Sequence, residues 1–139
     1  MPERDIFTPP EGPPGPMPGL EGIFSEWGEE GMRNLVSRFY DLIAESKIAA
    51  MFPEELTLAK QKQADFMIQV TGGPSLYLHN WGPARMRMRH FAFLINEESR
   101  QVWLSCYKQS LEEFSFSQES KAIFLKFLDQ FSRWMVNQA

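Results

Sequence analysis

Three observations predict an all-α fold. Apolar residues recur at spacings of three and four along several stretches, glycine and proline interrupt the chain between them, and no stretch alternates as a half-buried strand does. The most regular stretch runs from Glu29 to Glu45, where Met32, Leu35, Val36, Phe39, Tyr40, Leu42 and Ile43 trace one buried helix face. A second helix is expected from about Leu56 to Val70. It stops at Gly72-Gly73-Pro74, where two glycines and a proline end helical hydrogen bonding. An irregular stretch with Tyr77, Gly82 and Pro83 follows, and then one or two helical turns from Arg85 to His90. Asn96 suits the N-cap of a helix through about Leu111, with Val102, Trp103, Cys106 and Tyr107 on one face. Ser117 suits the N-cap of the last helix, in which Phe124, Phe127, Leu128, Phe131, Trp134 and Met135 repeat at helical spacing.

Residues 1–20 form a separate zone. Pro9, Pro10, Pro13, Pro14, Pro16 and Pro18 are interleaved with Gly12 and Gly15, with Gly19 just beyond. Proline supplies neither helix nor ladder hydrogen bonds, so this tail is expected to be extended or disordered; the alternative is a ligand for a proline-recognising domain. Residues 21–139 then make one domain, large enough for a core and one enclosed cofactor.

Charge and composition narrow the function. A net charge of −4 leaves no general basic surface for a phosphate backbone, the local exception being Arg85, Arg87 and Arg89, so nucleic acid is not an expected partner. No apolar run approaches the roughly 20 residues of a membrane span, and the N-terminus lacks the charged-then-apolar order of a signal peptide. The expectation is a cytoplasmic protein with no membrane partner. The single cysteine, Cys106, has no partner for an internal disulfide or a structural zinc site and reads as a small buried residue. Twelve phenylalanines and four tryptophans exceed what a minimal bundle needs, so either the core is unusually aromatic or some rings face a bound ligand.

Two residues are hard to explain as packing alone. On the second helix Ala59, Gln63, Phe66, Met67 and Val70 trace one stripe, which sets an uncharged amide in an apolar face. Either Gln63 sits at the stripe's edge and reaches solvent, or it meets a protein group, water or a ligand, because a buried unpaired amide costs about 1–3 kcal/mol. The other is His90, at the end of a short basic helix and just before Phe93, Leu94 and Ile95. A lone histidine among rings is commonly a core or surface residue. If it binds a metal, the count of two histidines matters: zinc wants three or four protein ligands, whereas a heme iron already has four nitrogens and needs one imidazole. His79, between Leu78 and Asn80, reads as a surface residue.

Five segments, in this order and spacing, resemble the truncated hemoglobins, most closely their second group. They are Leu35-Val-Ser-Arg-Phe-Tyr40-Asp, Met51-Phe-Pro-Glu-Glu-Leu56, Gly72-Gly-Pro-Ser-Leu-Tyr77, Arg87-Met-Arg-His-Phe-Ala-Phe93 and Val102-Trp103-Leu. The resemblance covers roughly Gly22 to Leu111 well and the last helix loosely. It implies a two-over-two helical sandwich around protoheme (heme b), with His90 as the proximal ligand to iron and its other ring nitrogen donating to a backbone carbonyl. Tyr40, Gln63 and Trp103 match positions across the heme that hydrogen-bond a diatomic ligand. Ala59 matches a position at the mouth of the pocket, where a small side chain leaves the path open. Phe52 and Phe66 match rings packed on the porphyrin, and Phe93 belongs to the segment that contacts it. Lys62 and Tyr77 match positions that meet the propionates, with Arg87 as a further candidate.

Two departures concern the loop at the heme edge. Many relatives have His-Pro where this chain has Pro83-Ala84, and many have proline where it has Ala92. The function implied is reversible binding of dioxygen and other diatomic gases by a monomer or homodimer served by an electron-donating reductase. The alternative is a heme-based redox enzyme that reduces peroxide or converts nitric oxide to nitrate.

Overall fold

The computed structural model describes residues 5–139; residues 1–4 of the tail lie outside the described residues. Six α-helices carry the fold: α1 (Ile23–Ala44), α2 (Thr57–Val70), α3 (Leu76–Trp81), α4 (Met86–Arg89), α5 (Glu97–Glu112) and α6 (Gln118–Met135). No strand occurs among the described residues. The long helices pack as two pairs, α1 with α2 and α5 with α6, and α1 lies on α5 to join the pairs into a two-over-two sandwich.

Each helix end has a local cause. Helix α1 starts earlier than the apolar spacing predicts, because Ile23 to Trp27 add a turn before a break at Gly28, whose φ of 72° suits glycine. Ile23 and Trp27 are buried, and the Trp27 indole donates to Ser120 Oγ at 2.9 Å, tying this turn to α6. Helix α2 stops just before Gly72, which has φ 100° and lies so close to the turn ahead of α1 that a Cβ there would sit 1.8 Å from the Glu21 carbonyl oxygen. Only glycine fits both demands. Asn96 caps α5 through a capping box with Ser99, and the Ser117 hydroxyl caps α6 by accepting from the Ser120 amide.

The core is aromatic at its centre. Phe39 of α1 stacks on Tyr107 of α5 with centroids 3.8 Å apart, and Phe124 of α6 meets both Trp27 and Tyr107 edge-on. Cys106 is buried, and burial pushes its thiol pKa up. His79 is exposed. The stretch predicted to be irregular after Gly73 contains α3, a six-residue helix too short to show a period.

The described tail, residues 5–19, has no helix, and it is tied to the domain. The Phe7 amide donates to the Asn137 carbonyl at 3.0 Å, and Pro9 is buried.

Helices α1, α2 and α3 meet at one buried carboxylate. Asp65 accepts from Arg33 Nη2 at 2.8 Å, Asn80 Nδ2 at 3.0 Å and Trp81 Nε1 at 2.9 Å. Burial pushes its pKa up, but the bonds from Asn80, Arg33 and Trp81 together outweigh that and hold it below 3.8. The carboxylate's contribution is therefore full above 3.8 and is lost as pH falls through the lowered value of the folded state. Asp65→Asn offers one acceptor oxygen to three donors and should cost about 2 kcal/mol, from the usual worth of a hydrogen bond to a charged group. Urea unfolding should show that gap at neutral pH and a smaller one in acid; equal midpoints at neutral pH would contradict the assignment.

Candidate functional site

A cavity of about 540 Å³ opens between the two helix pairs. Helix α1 brings Tyr40 to it, the loop after α1 brings Ile48, Met51 and Phe52, and α2 brings Ala59, Lys62, Gln63, Phe66 and Met67 from one face. Tyr77 comes from α3, and Met86, Arg89, His90, Phe93 and Ile95 come from α4 and the loop after it. Ser99, Arg100 and Trp103 of α5 and Phe131, Ser132 and Met135 of α6 close the rest. The lining is mostly apolar with a few convergent polar groups, as cofactor sites are.

His90 is oriented by its own helix. Its Nδ1 lies 2.6 Å from the Met86 carbonyl oxygen, one turn back. A carbonyl only accepts, so Nδ1 carries the proton and Nε2 keeps a bare lone pair. Nε2 makes no hydrogen bond to any described residue, and the ring lines the cavity. Burial lowers the His90 pKa and the bond to Met86 offsets part of that, so the imidazole is neutral. Asn137, beyond α6, braces the same loop: its Nδ2 donates to the His90 carbonyl at 3.1 Å, and its Oδ1 accepts from the Ile95 amide at 3.0 Å.

Tyr40, Gln63 and Trp103 form a second cluster. Gln63 Nε2 donates to Tyr40 Oη at 2.7 Å, and Tyr107 Oη donates to Gln63 Oε1 at 2.8 Å. Gln63 is therefore half-buried, with both ends of its amide paired to tyrosine hydroxyls. The direction of the chain follows from burial. Tyr107 is 0% exposed, so its proton must find an acceptor or cost about 1–3 kcal/mol, and Gln63 Oε1 supplies one. That fixes the amide nitrogen on Tyr40. Since Tyr40 accepts, its own proton is left for the cavity. Burial raises the Tyr40 pKa to about 12, with the Gln63 bond offsetting part of the rise, so the phenol remains a donor. Burial, and then the neighbouring Tyr40, raise that of Tyr107 well above its ordinary value. The Trp103 indole stands edge-on to Phe39 and Tyr107 and has no hydrogen-bond partner among the described residues.

Ten of the eleven residues singled out from the sequence thus share one cavity: Tyr40, Phe52, Ala59, Lys62, Gln63, Phe66, Tyr77, His90, Phe93 and Trp103. Arg87 does not join them. Its guanidinium donates to the carbonyls of Trp134, Val136 and Phe7 and lies over the Trp134 ring, so it fastens both chain termini to α4. Arg89 takes the place at the cavity, anchored by bonds to the Ala84 and Pro83 carbonyls and set over the Tyr77 ring. The Pro83-Ala84 loop is thereby closed by an arginine. At the other rim Lys62 lies over the Trp81 ring, 5.2 Å from its centroid.

Three further residues belong to the site. Arg100 is buried at the cavity wall and paired with Asp129 at 3.0 Å and Glu97 at 3.0 Å. Tyr107 and Asn137 act from behind it. The apolar face of α5 offered Tyr107 as a core ring, and nothing in the spacing revealed that its hydroxyl meets Gln63. Asn137 follows the last helix and carries no pattern at all.

Among the described residues no three His, Cys, Asp or Glu side chains gather as metal ligands, and the cavity presents one imidazole. No helix is long and apolar enough to cross a membrane, again among the described residues.

Known proteins agree with this geometry. Residues 23–137 match the bacterial-like globin family. Group 2 truncated hemoglobin YjbI of Bacillus subtilis is 36% identical over 112 residues, which cover 80% of this chain and 85% of that protein. The crystal structure described as truncated oxygen-avid haemoglobin from Bacillus subtilis superposes with TM-score 0.80 at 34% identity, covering 83% of this chain and 98% of that one. The group II truncated hemoglobin of Bacillus anthracis gives TM-score 0.81 at 30% identity, covering 84% and 91%. Sequence, fold and cavity therefore converge: the chain belongs to the bacterial-like globin family, as a truncated hemoglobin of the second group.

Proposed function

We propose that the protein reversibly binds dioxygen, and other diatomic gases, on a heme b held by His90. The observation that carries this reading is the pairing, in one cavity, of a neutral imidazole and a phenol, where among the described residues neither the Nε2 lone pair nor the phenol proton has a hydrogen-bond partner. The residues present fit the group. The cavity is apolar, deep and ringed by Phe52, Phe66 and Phe93, and its imidazole suits an iron that would already carry four porphyrin nitrogens and need one protein ligand. Heme, when bound, supplies an iron with an open position for a small gas. Its two carboxylates call for cations and hydroxyls, and Lys62, Tyr77 and Arg89 line the cavity to meet them. The reading includes an electron-donating reductase as a partner, because reversible dioxygen binding needs the reduced metal.

The chain's own contribution is selectivity. Dioxygen gains partial negative charge when it binds, and a donor aimed at it slows escape, whereas carbon monoxide gains less and benefits less. Tyr40 is held as a donor by Gln63, and the Trp103 indole is a second donor without a hydrogen-bond partner among the described residues. Ala59 contributes no hydrogen bond, so polar control falls on those two. The oxygen avidity named for the Bacillus subtilis structure supports the same reading by analogy.

Stopped-flow measurement of dioxygen release tests it. Tyr40→Phe and Trp103→Phe should each speed release by about tenfold or more, the kinetic equivalent of losing one hydrogen bond to a charged acceptor. Rapid release from the wild type, unchanged in both variants, would sink the proposal.

A further inference from the structure

Tyr107 does not line the cavity, yet it decides what the cavity offers. Its ring is locked in place by stacking on Phe39 at 3.8 Å and by edge contacts with Trp103 at 5.0 Å and Phe124 at 5.9 Å. A rigid, fully buried phenol has one place to put its proton, and that place is Gln63 Oε1. An amide is nearly symmetric in shape and opposite in polarity at its two ends. With Oε1 held by Tyr107, the amide turns its N–H to Tyr40; with Oε1 released, half a turn of the side-chain amide would turn the oxygen to Tyr40 instead. In the first arrangement Tyr40 accepts from the protein and donates into the cavity. In the second it donates to the protein and has only lone pairs for the cavity.

We propose that Tyr107 is a positioning residue for gas selectivity: by donating to Gln63 Oε1 it fixes the amide so that Tyr40 remains a donor toward the bound ligand. This rests on the dioxygen-binding reading above and extends it one residue behind the pocket. Tyr107 stands behind the cavity lining, and its effect passes through the orientation of one amide. Tyr107→Phe keeps the ring and its stacking, and removes only the hydroxyl that holds Gln63.

The test compares release rates for dioxygen and carbon monoxide in four proteins: wild type, Tyr40→Phe, Tyr107→Phe and Gln63→Leu/Tyr107→Phe. Tyr107→Phe should speed dioxygen release by about tenfold, as the loss of Tyr40's donation does, while leaving carbon monoxide release near its wild-type rate. The C–O stretching frequency of bound carbon monoxide should rise, because a lone pair replaces a proton beside the ligand. The double variant should be slower than Tyr107→Phe, since removing the amide oxygen takes away the competing acceptor and returns the Tyr40 proton to the cavity. A purely structural role for Tyr107 predicts the opposite, a double variant at least as fast as the single one. If Tyr40→Phe releases dioxygen quickly and Tyr107→Phe behaves as wild type, the positioning role is overturned while the dioxygen reading stands. If Tyr40→Phe changes nothing, both fall. Should Tyr107→Phe fail to take up heme, nuclear Overhauser contacts in the wild-type carbon monoxide form decide the matter. Gln63 amide protons close to the Tyr40 ring support the proposal, and amide protons close to the Tyr107 ring overturn it.

Discussion

One short hydrogen bond organises the functional half of the molecule: the 2.6 Å contact between His90 Nδ1 and the Met86 carbonyl. It selects the tautomer, stops the ring from turning and leaves Nε2 as the nitrogen of this ring with a lone pair available to a metal. Since Met86 and His90 are one helical turn apart, the bond exists only while α4 keeps its shape. That helix has four residues and could not persist alone in water. It is held from outside. Arg87 fastens it to the carbonyls of Trp134, Val136 and Phe7, Arg89 fastens its start to Pro83 and Ala84, and Asn137 bonds on both sides of the loop that follows.

This arrangement gives the termini a physical role. The segment after α6 and the described part of the proline-rich tail both end on the histidine-bearing turn, through Arg87 and through the bond from Phe7 to Asn137. Proline suits such a strap, because an extended chain with few free dihedrals loses little entropy on docking. The far side of the cavity is built differently. There the rigidity comes from stacked rings on α1 and α5, and the polar groups are linked by a chain running from Tyr107 through Gln63 to Tyr40. One wall is fixed by backbone carbonyls and the other by aromatic packing.

Much of this was legible in the residues. The spacings on α1, α2, α5 and α6, with Asn96 and Ser117 as caps, read correctly because long amphipathic helices leave a period and caps leave a chemical sign. Gln63 stood out because an amide in an apolar stripe demands a partner. What was not legible has a common cause. The extra turn from Ile23 to Trp27 precedes a glycine that breaks the period, and α3 is shorter than two turns. Arg87 and Arg89 sit two residues apart on one basic turn, and no pattern tells which guanidinium faces a cavity and which faces carbonyls 47 and 49 positions away. The Tyr107 hydroxyl and the Asn137 amide act through partners 44 and 47 positions distant, a separation that local spacing does not encode.

The claim on which all of this turns is that His90 Nε2 is the protein's bond to iron. Resonance Raman spectroscopy of the ferrous, ligand-free protein tests it directly, through the iron–histidine stretching band. The band should be present in the wild type and absent from His90→Gly, and an iron–imidazole band should appear in that variant when imidazole is added. An iron–histidine band that survives unchanged in His90→Gly would show that another side chain holds the metal.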